Sequence, residues 1–293
     1  MDRTKVVAGL IACLLCGCAT PKADRAIRVG SKNFTEQVVL GEIVAQHLEH
    51  KLHRTVERRL NLGGTLLAHQ ALVSGEIDLY PEYTGTALTA ILKEAPAALD
   101  AAGVLARVRS EYRRRFHVEW LDPLGIDNGF AMVVRGEDAR ARHLETLSDA
   151  ARIDGWRLGA GYEFEQRADG LAALESLYHL RFSAAPTSMD LGLLYQALEA
   201  KQVDMIAANA TDGLLAKLDV KILTDDRRAF PPYQVSIAVR EDSLRDIPGL
   251  EAALADLSNK FTNQTMQKLN YEVDGELRSA AQVAAEFLAK QGM

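Results

Sequence analysis

Short apolar runs bounded by glycine, proline or charged residues alternate along this chain with longer stretches whose apolar residues recur every three or four positions. The short runs predict strands over 26–29, 55–60, 77–80, 118–121, 130–134, 156–158, 203–207, 221–223 and 234–239. The longer stretches predict helices. Val38, Val39, Leu40, Ile43, Val44 and Leu48 share one helical face after the turn 30–37, where Ser31, Asn33 and Thr35 are candidate N-caps. Thr65 is placed to cap a second helix carrying Leu66, Leu67, Ala71 and Leu72. Further helices are expected over 86–93, 96–116, 144–151, 165–179 and 191–200, and from Ile247 onward through Leu250, Leu254, Leu257, Val283, Phe287 and Leu288. Between the strand 77–80 and a helix start at Thr84-Gly85-Thr86, Pro81 is expected to pin a corner. Strands that alternate with helices indicate an α/β fold with mostly parallel sheets.

The two halves repeat each other. Ile27-Arg28-Val29-Gly30 matches Trp156-Arg157-Leu158-Gly159, and Phe34-Thr35-Glu36-Gln37 matches Phe164-Glu165-Gln166 with one residue dropped. Gln70-Ala71-Leu72 followed by Ile77-Asp78-Leu79 matches Gln196-Ala197-Leu198 followed by Val203-Asp204-Met205. Carried on, Tyr83 falls opposite Asn209. The repeat predicts two lobes of one βαβ type, with a ligand cleft where their strand C-termini and helix N-termini face each other. Residues 26–126 and 233–293 are expected to form the first lobe and 127–232 the second. The crossings near 127–129 and 231–233 would serve as hinges.

Composition narrows the function. The chain has 293 residues, 48% hydrophobic and 25% charged, enough for a large core. Its net charge of -6 argues against a nucleic-acid partner. All three cysteines, Cys13, Cys16 and Cys18, lie in the leader, so the folded part has no disulfide, thiol nucleophile or thiolate metal site. It also lacks a His-Glu-x-x-His motif and a glycine-rich phosphate loop. No catalytic residue, metal or cofactor is expected, and an enzyme is not. In the leader, Arg3 and Lys5 precede an apolar run over 6–16 that is too short to span a bilayer. The run ends in Leu15-Cys16-Gly17-Cys18, which resembles a bacterial lipoprotein signal. That resemblance implies a signal peptide over 1–17, a lipid on Cys18 and a polar tether over 18–25. The protein would be exported, either periplasmic or anchored to a membrane.

Five motifs in order carry a larger resemblance. They are Gly30-Ser31-Lys32-Asn33-Phe34-Thr35-Glu36-Gln37, the stretch 78–86, Gly161-Tyr162-Glu163-Phe164 with Arg167-Ala168-Asp169-Gly170, Ala210-Thr211-Asp212-Gly213, and Asp225-Asp226 with Phe230-Pro231-Pro232-Tyr233. Across the mature chain they resemble the substrate-binding proteins of osmoprotectant ABC transporters, the glycine betaine, choline and carnitine binders of the ProX and OpuC type. The resemblance implies a two-lobed type II periplasmic-binding-protein fold. It also implies a monomer that delivers a small osmolyte to a permease and its ATPase. By position, Lys32, Thr86 and Arg167 would bind the ligand carboxylate, since carboxylates take charged donors. Tyr83, Phe130, Asn209 and Tyr233 would surround its ammonium, which has no N–H to donate and is held by ring faces. Asp127, Asn128 and Thr65 would also line the cleft. Removing Tyr83 or Arg167 is expected to abolish binding and spare the fold. Asn209 stands where the family usually has a tyrosine. The alternatives are therefore a binder of an amino acid or other small non-betaine zwitterion, or a ligand sensor on the same fold.

Overall fold

The computed structural model describes residues 25–95 and 99–293. The expected signal peptide over 1–17, the expected lipid site Cys18 and the expected tether up to residue 24 therefore lie outside the described residues. Arg25, the last residue of the expected tether, is held: its Nη1 and Nη2 each donate to Asp78 at 2.7 Å.

Twelve strands form among the described residues. They are β1 (Ile27–Gly30), β2 (Val56–Arg59), β3 (Leu79–Tyr83), β4 (Val118–Trp120), β5 (Phe130–Arg135), β6 (Asp154–Trp156), β7 (Leu158–Ala160), β8 (Arg181–Phe182), β9 (Thr187–Ser188), β10 (Met205–Asn209), β11 (Val220–Leu223) and β12 (Val235–Arg240). One five-stranded sheet has the order β2-β1-β3-β12-β4 and a second the order β11-β5-β10-β7-β9, while β6 and β8 form a small parallel pair. The two large sheets repeat each other strand for strand. In the first, β1 runs parallel to β2 and β3, and β12 runs antiparallel to β3 and β4. In the second, β7 runs parallel to β9 and β10, and β5 runs antiparallel to β10 and β11. Tyr83 and Asn209 each end the equivalent strand, β3 and β10.

The expectation of mostly parallel sheets is thereby corrected to mixed ones. The reason is topological. β5 and β12 are the strands that follow the two crossings. Each starts at the cleft and runs away from it, against strands whose C-termini point into the cleft.

Pro81 is the second correction. It turns no corner but lies inside β3, opposite Ile237. A proline has no N–H for a ladder. It is tolerated because β1 pairs with β3 only at Leu79, which leaves β3 beyond that point paired with a strand on the β12 side alone, while the Pro81 carbonyl accepts from Gln37 Nε2 at 2.9 Å. The expected strand 156–158 is also divided, into β6 and β7. The expected helix 165–179 begins only at Leu171 and ends at Tyr178, leaving 161–170 as turns that face the cleft.

Helix α1 (Thr35–Leu52) buries Val39, Leu40, Ile43, Val44 and Leu48 against Ile27 and Val29 of β1, Val235 and Ile237 of β12, and Leu250, Leu254, Val283 and Phe287 of the C-terminal helices. The chain after β12 thus completes the first lobe's core. In the second lobe, Met132, Val134, Leu158, Met205 and Ala207 pack with Trp156, Phe164, Leu174 and Tyr178.

Asp78 ties this frame to the start of the chain. Fully buried, it binds Arg25, Arg28 and Ser243. Burial alone would raise its carboxyl, but hydrogen bonds from Arg25 and Arg28 outweigh it and hold the group down at about 2. A depressed carboxylate contributes stability that is present above its unfolded value and lost as pH falls through the folded one. Wild-type protein is therefore expected to lose roughly 2 kcal/mol from this group between about pH 4 and 2. Asp78→Asn should flatten that part of a melting-temperature curve taken against pH. An unchanged acid limb in the variant would show that Asp78 does not supply it.

Candidate functional site

The two crossing segments lie side by side. Asp127 and Gln234 form an antiparallel bridge, Asn128 N–H donates to the Tyr233 carbonyl at 3.1 Å, and Val235 N–H donates to that of Ile126 at 3.0 Å. Immediately beyond them, between the two sheets, is a cavity of about 320 Å³. Lys32, Thr65, Tyr83, Thr86, Asn128, Phe130, Arg167, Asn209 and Tyr233 all line it. Asp127 does not. Its side chain accepts the Tyr233 N–H at 3.0 Å and its backbone is clasped by Asn263, so it braces the crossing instead of facing a ligand.

Both cations at the cleft arrive already paired. Lys32 Nζ binds Glu82 at 2.5 Å and Thr65 Oγ1 at 3.3 Å. Arg167 forms a fork on Asp169, Nε to Oδ1 at 2.9 Å and Nη2 to Oδ2 at 2.6 Å. These bonds leave donors over. An ammonium has three hydrogens and a guanidinium five. Lys32 retains one and Arg167 three, two on Nη1 and one on Nη2, in positions fixed by their carboxylate partners. Thr86 adds a hydroxyl that has no partner among the described residues. The surplus donors line one cavity, and the paired acids keep the cleft from holding two bare positive charges.

The rings are fixed as firmly. Tyr83 is buried, stacks on Phe34 at 6.1 Å and donates its hydroxyl to Glu36 at 2.8 Å. Tyr233 donates to Asp169 at 2.6 Å. The Tyr233 ring passes so close to Gly85 that a Cβ there would sit 2.7 Å from it, so a side chain at 85 would displace it. Phe130 meets Phe164 and Tyr233 edge to face at 4.9 and 5.8 Å. The protein's own cations already approach two of these rings: Lys32 Nζ is 4.7 Å from the Tyr83 centroid and the Arg167 guanidinium 4.8 Å from that of Phe130. Asn209 has no ring. Its Nδ2 reaches Asp212 at 3.3 Å. Burial pushes the Asp212 carboxyl up to about 6, so above that pH it is an anion that accepts only.

Carboxylates at the cleft bridge the lobes, and Gln267 and Asn270 add bonds to the carbonyls of Ala210 and Thr211. Glu36 of α1, fully buried, receives Tyr83, Asn128, Asn270 and, from the second lobe, the hydroxyl of Thr211. Burial pushes its carboxyl up against those four hydrogen bonds. Asp169 joins the second lobe to Tyr233. Glu163 spans the cleft mouth to the first helical residue of α2 (Thr65–Ser74), accepting the Thr65 N–H at 2.7 Å and its hydroxyl at 2.9 Å. Thr65 is therefore not the cap of its helix: a carboxylate from the facing lobe is. Gly64 makes room for it, since a Cβ there would lie 2.1 Å from the Glu163 Oε1.

Residues 25–290 match the family described as the substrate binding domain of ABC-type glycine betaine transport systems. The chain belongs to that family. It is 35% identical over 285 residues to the carnitine transport binding protein OpuCC of Listeria monocytogenes, covering 96% of this chain and 91% of that one. It is 33% identical over 272 residues to the ergothioneine transport permease/ergothioneine binding protein EgtU of Helicobacter pylori, covering 92% of this chain and 48% of that longer one. A crystal structure of a glycine betaine/carnitine/choline ABC transporter protein superposes with a TM-score of 0.75 at 32% identity, covering 91% of this chain and 98% of that one. The protein is thus an extracytoplasmic substrate-binding protein of an ABC transporter. Among its described residues no helix is long and apolar enough to cross a membrane.

As a member of the betaine-transport family, the chain gathers in one cleft residues that the motifs scatter from position 32 to 233. The motifs contained, without revealing their roles, the acids that hold those residues: Glu36, Glu82, Glu163 and Asp169. One expectation changes with them. Tyr83 and Arg167 are partners of the buried carboxylates Glu36 and Asp169, so truncating either withdraws a hydrogen bond or charge from a buried group and is expected to cost stability.

Proposed function

We propose that this cleft captures a small zwitterionic or quaternary-ammonium osmolyte and hands it to a permease. The observation that supports it best is the convergence, in one cavity of about 320 Å³, of the surplus donors of Lys32, Thr86 and Arg167 with the rings of Tyr83, Phe130 and Tyr233. The donors would take a carboxylate. The rings would take an ammonium through cation–π attraction and methyl contacts. In this reading residues 26–126 with 233–293, and 127–232, are the moving bodies, and the paired crossings are the hinge. The ligand's own charges would reinforce Glu36, Asp169 and Glu163 in holding the lobes together. A lipid on Cys18 would tether a monomer near its permease. The relatives bind carnitine and ergothioneine by name, so membership of the family leaves the ligand open among several betaine-like molecules.

Titration calorimetry of residues 26–293 against glycine betaine, choline, carnitine and free amino acids tests this. Saturable binding of one of them, lost in Thr86→Ala, is expected. Absence of binding across the set would remove the reading of the cleft as an osmolyte site.

A further inference from the structure

Asn209 is where the cleft departs from a wall of rings, and its surroundings decide what it offers. It closes β10 directly opposite Phe130 in the antiparallel register with β5. Its backbone N–H and the Tyr195 hydroxyl both donate to Asp212 Oδ2, at 3.0 and 3.1 Å, and its side-chain Nδ2 donates to Asp212 Oδ1 at 3.3 Å. An ionised carboxylate offers only lone pairs. It therefore holds the NH₂ end of the amide and turns the carbonyl oxygen away from itself. That oxygen has no donor among the described residues, and Asn209 lines the cleft. What the fourth wall presents is a hydrogen-bond acceptor of fixed direction, beside a phenylalanine ring.

We infer that Asn209, oriented by Asp212, selects a zwitterion with a tertiary ammonium: N-methyl groups against Tyr83, Phe130 and Tyr233, and one N–H donated to Asn209 Oδ1. The inference rests on the reading of the cleft given above and narrows its ligand class. A quaternary ammonium turns only methyl groups toward the amide oxygen and leaves it unpaired. A primary ammonium satisfies the oxygen but gives the three rings no methyl to contact. One acceptor among three rings matches one proton among three substituents. Asp212 is a positioning residue in this scheme, because it touches the amide and not the ligand.

The test is a methylation series, glycine, sarcosine, N,N-dimethylglycine and glycine betaine, titrated at pH 8 into wild type, Asn209→Tyr, Asn209→Ala and Asp212→Asn. Wild type is expected to bind dimethylglycine about tenfold more tightly than betaine, the worth of one hydrogen bond. Asn209→Tyr should reverse that order and Asn209→Ala should level it. Asp212→Asn should shrink the ratio while binding persists, which a merely structural role for Asp212 would not do. Betaine binding as tightly as dimethylglycine to wild type would overturn the inference. So would a preference that survives in Asn209→Ala, the variant least able to disturb the fold. Binding of choline, carnitine or an unmethylated amino acid with none of the methylated series would also overturn it, and leave the osmolyte reading intact. If nothing binds at all, both fail.

Discussion

Asp169→Ala is expected to remove ligand binding and to lower the melting temperature by roughly 10 °C. Asp169 is fully buried and neutralises Arg167, whose side chain is 10% exposed. Burial would raise the Asp169 carboxyl, but the Arg167 fork outweighs it and holds the group below its usual range. Without Asp169 a guanidinium is left in the interior with the faces of Phe130 and Tyr233 against it, at 4.8 and 5.9 Å, and the Glu163 carboxylate as its remaining counter-charge. Breaking a buried pair by deleting one partner costs about 3–5 kcal/mol, because the other charge stays behind. In a chain of this size that is roughly 2–4 °C per kcal/mol. The Tyr233 hydroxyl loses its acceptor in the same step, so a ring and a cation of the site come loose together. A thermal melt and a titration of the variant check both halves. A variant that melts with wild type would show that solvent reaches Arg167 and that the pair is not a structural element.

Glu36→Ala is the second large effect, and it separates the buried acceptor beneath the cleft from the residues that line it. Glu36 does not line the cavity, yet it accepts from Tyr83, Asn128, Thr211 and Asn270. These donors come from β3, the first crossing, the second lobe and a C-terminal helix. Each donor stranded in the interior costs about 1–3 kcal/mol. With some rescued by water entering the vacated space, a net loss of about 3 kcal/mol or more is expected. Glu36→Gln keeps the volume and part of the acceptor capacity, but turns an NH₂ toward groups that are themselves donors. It should therefore fall between wild type and Glu36→Ala in melting temperature. Affinity should fall in both variants, since the Tyr83 ring and the position of Thr211 depend on this carboxylate. Unchanged affinity with a lowered melting point would confine Glu36 to stability and show that the site does not depend on it.

Much of the fold was legible because it rests on local rules. The helical face of Val39, Ile43 and Leu48 and the strand runs around Val29, Val133 and Ile237 reflect periodicity, which a chain carries wherever it folds. The internal repeat was legible for the same reason, and it correctly aligned Tyr83 with Asn209 as the last residues of equivalent strands. Pro81 was misread because its tolerance depends on where β1 stops pairing, which no window of sequence contains. The mixed sheets were misread because the direction of β5 and β12 follows from which side of the cleft the chain re-enters.

At the site the division is sharper. The sequence by itself determined which residue types are available: the cations Lys32 and Arg167, the rings Tyr83, Phe130 and Tyr233, an asparagine at 209, and no cysteine beyond position 18. Those depend on composition and on contiguous motifs. The tertiary structure alone decided how each is used, because the partners are remote along the chain: Glu163 lies 98 residues from Thr65, Asp169 64 from Tyr233, and Glu36 175 from Thr211. A motif names a lysine or an arginine. Whether it meets a ligand as a bare charge or as a neutralised set of directed donors depends on which carboxylates the fold buries beside it, Glu82 for Lys32 and Asp169 for Arg167, and burial exists only in the folded chain.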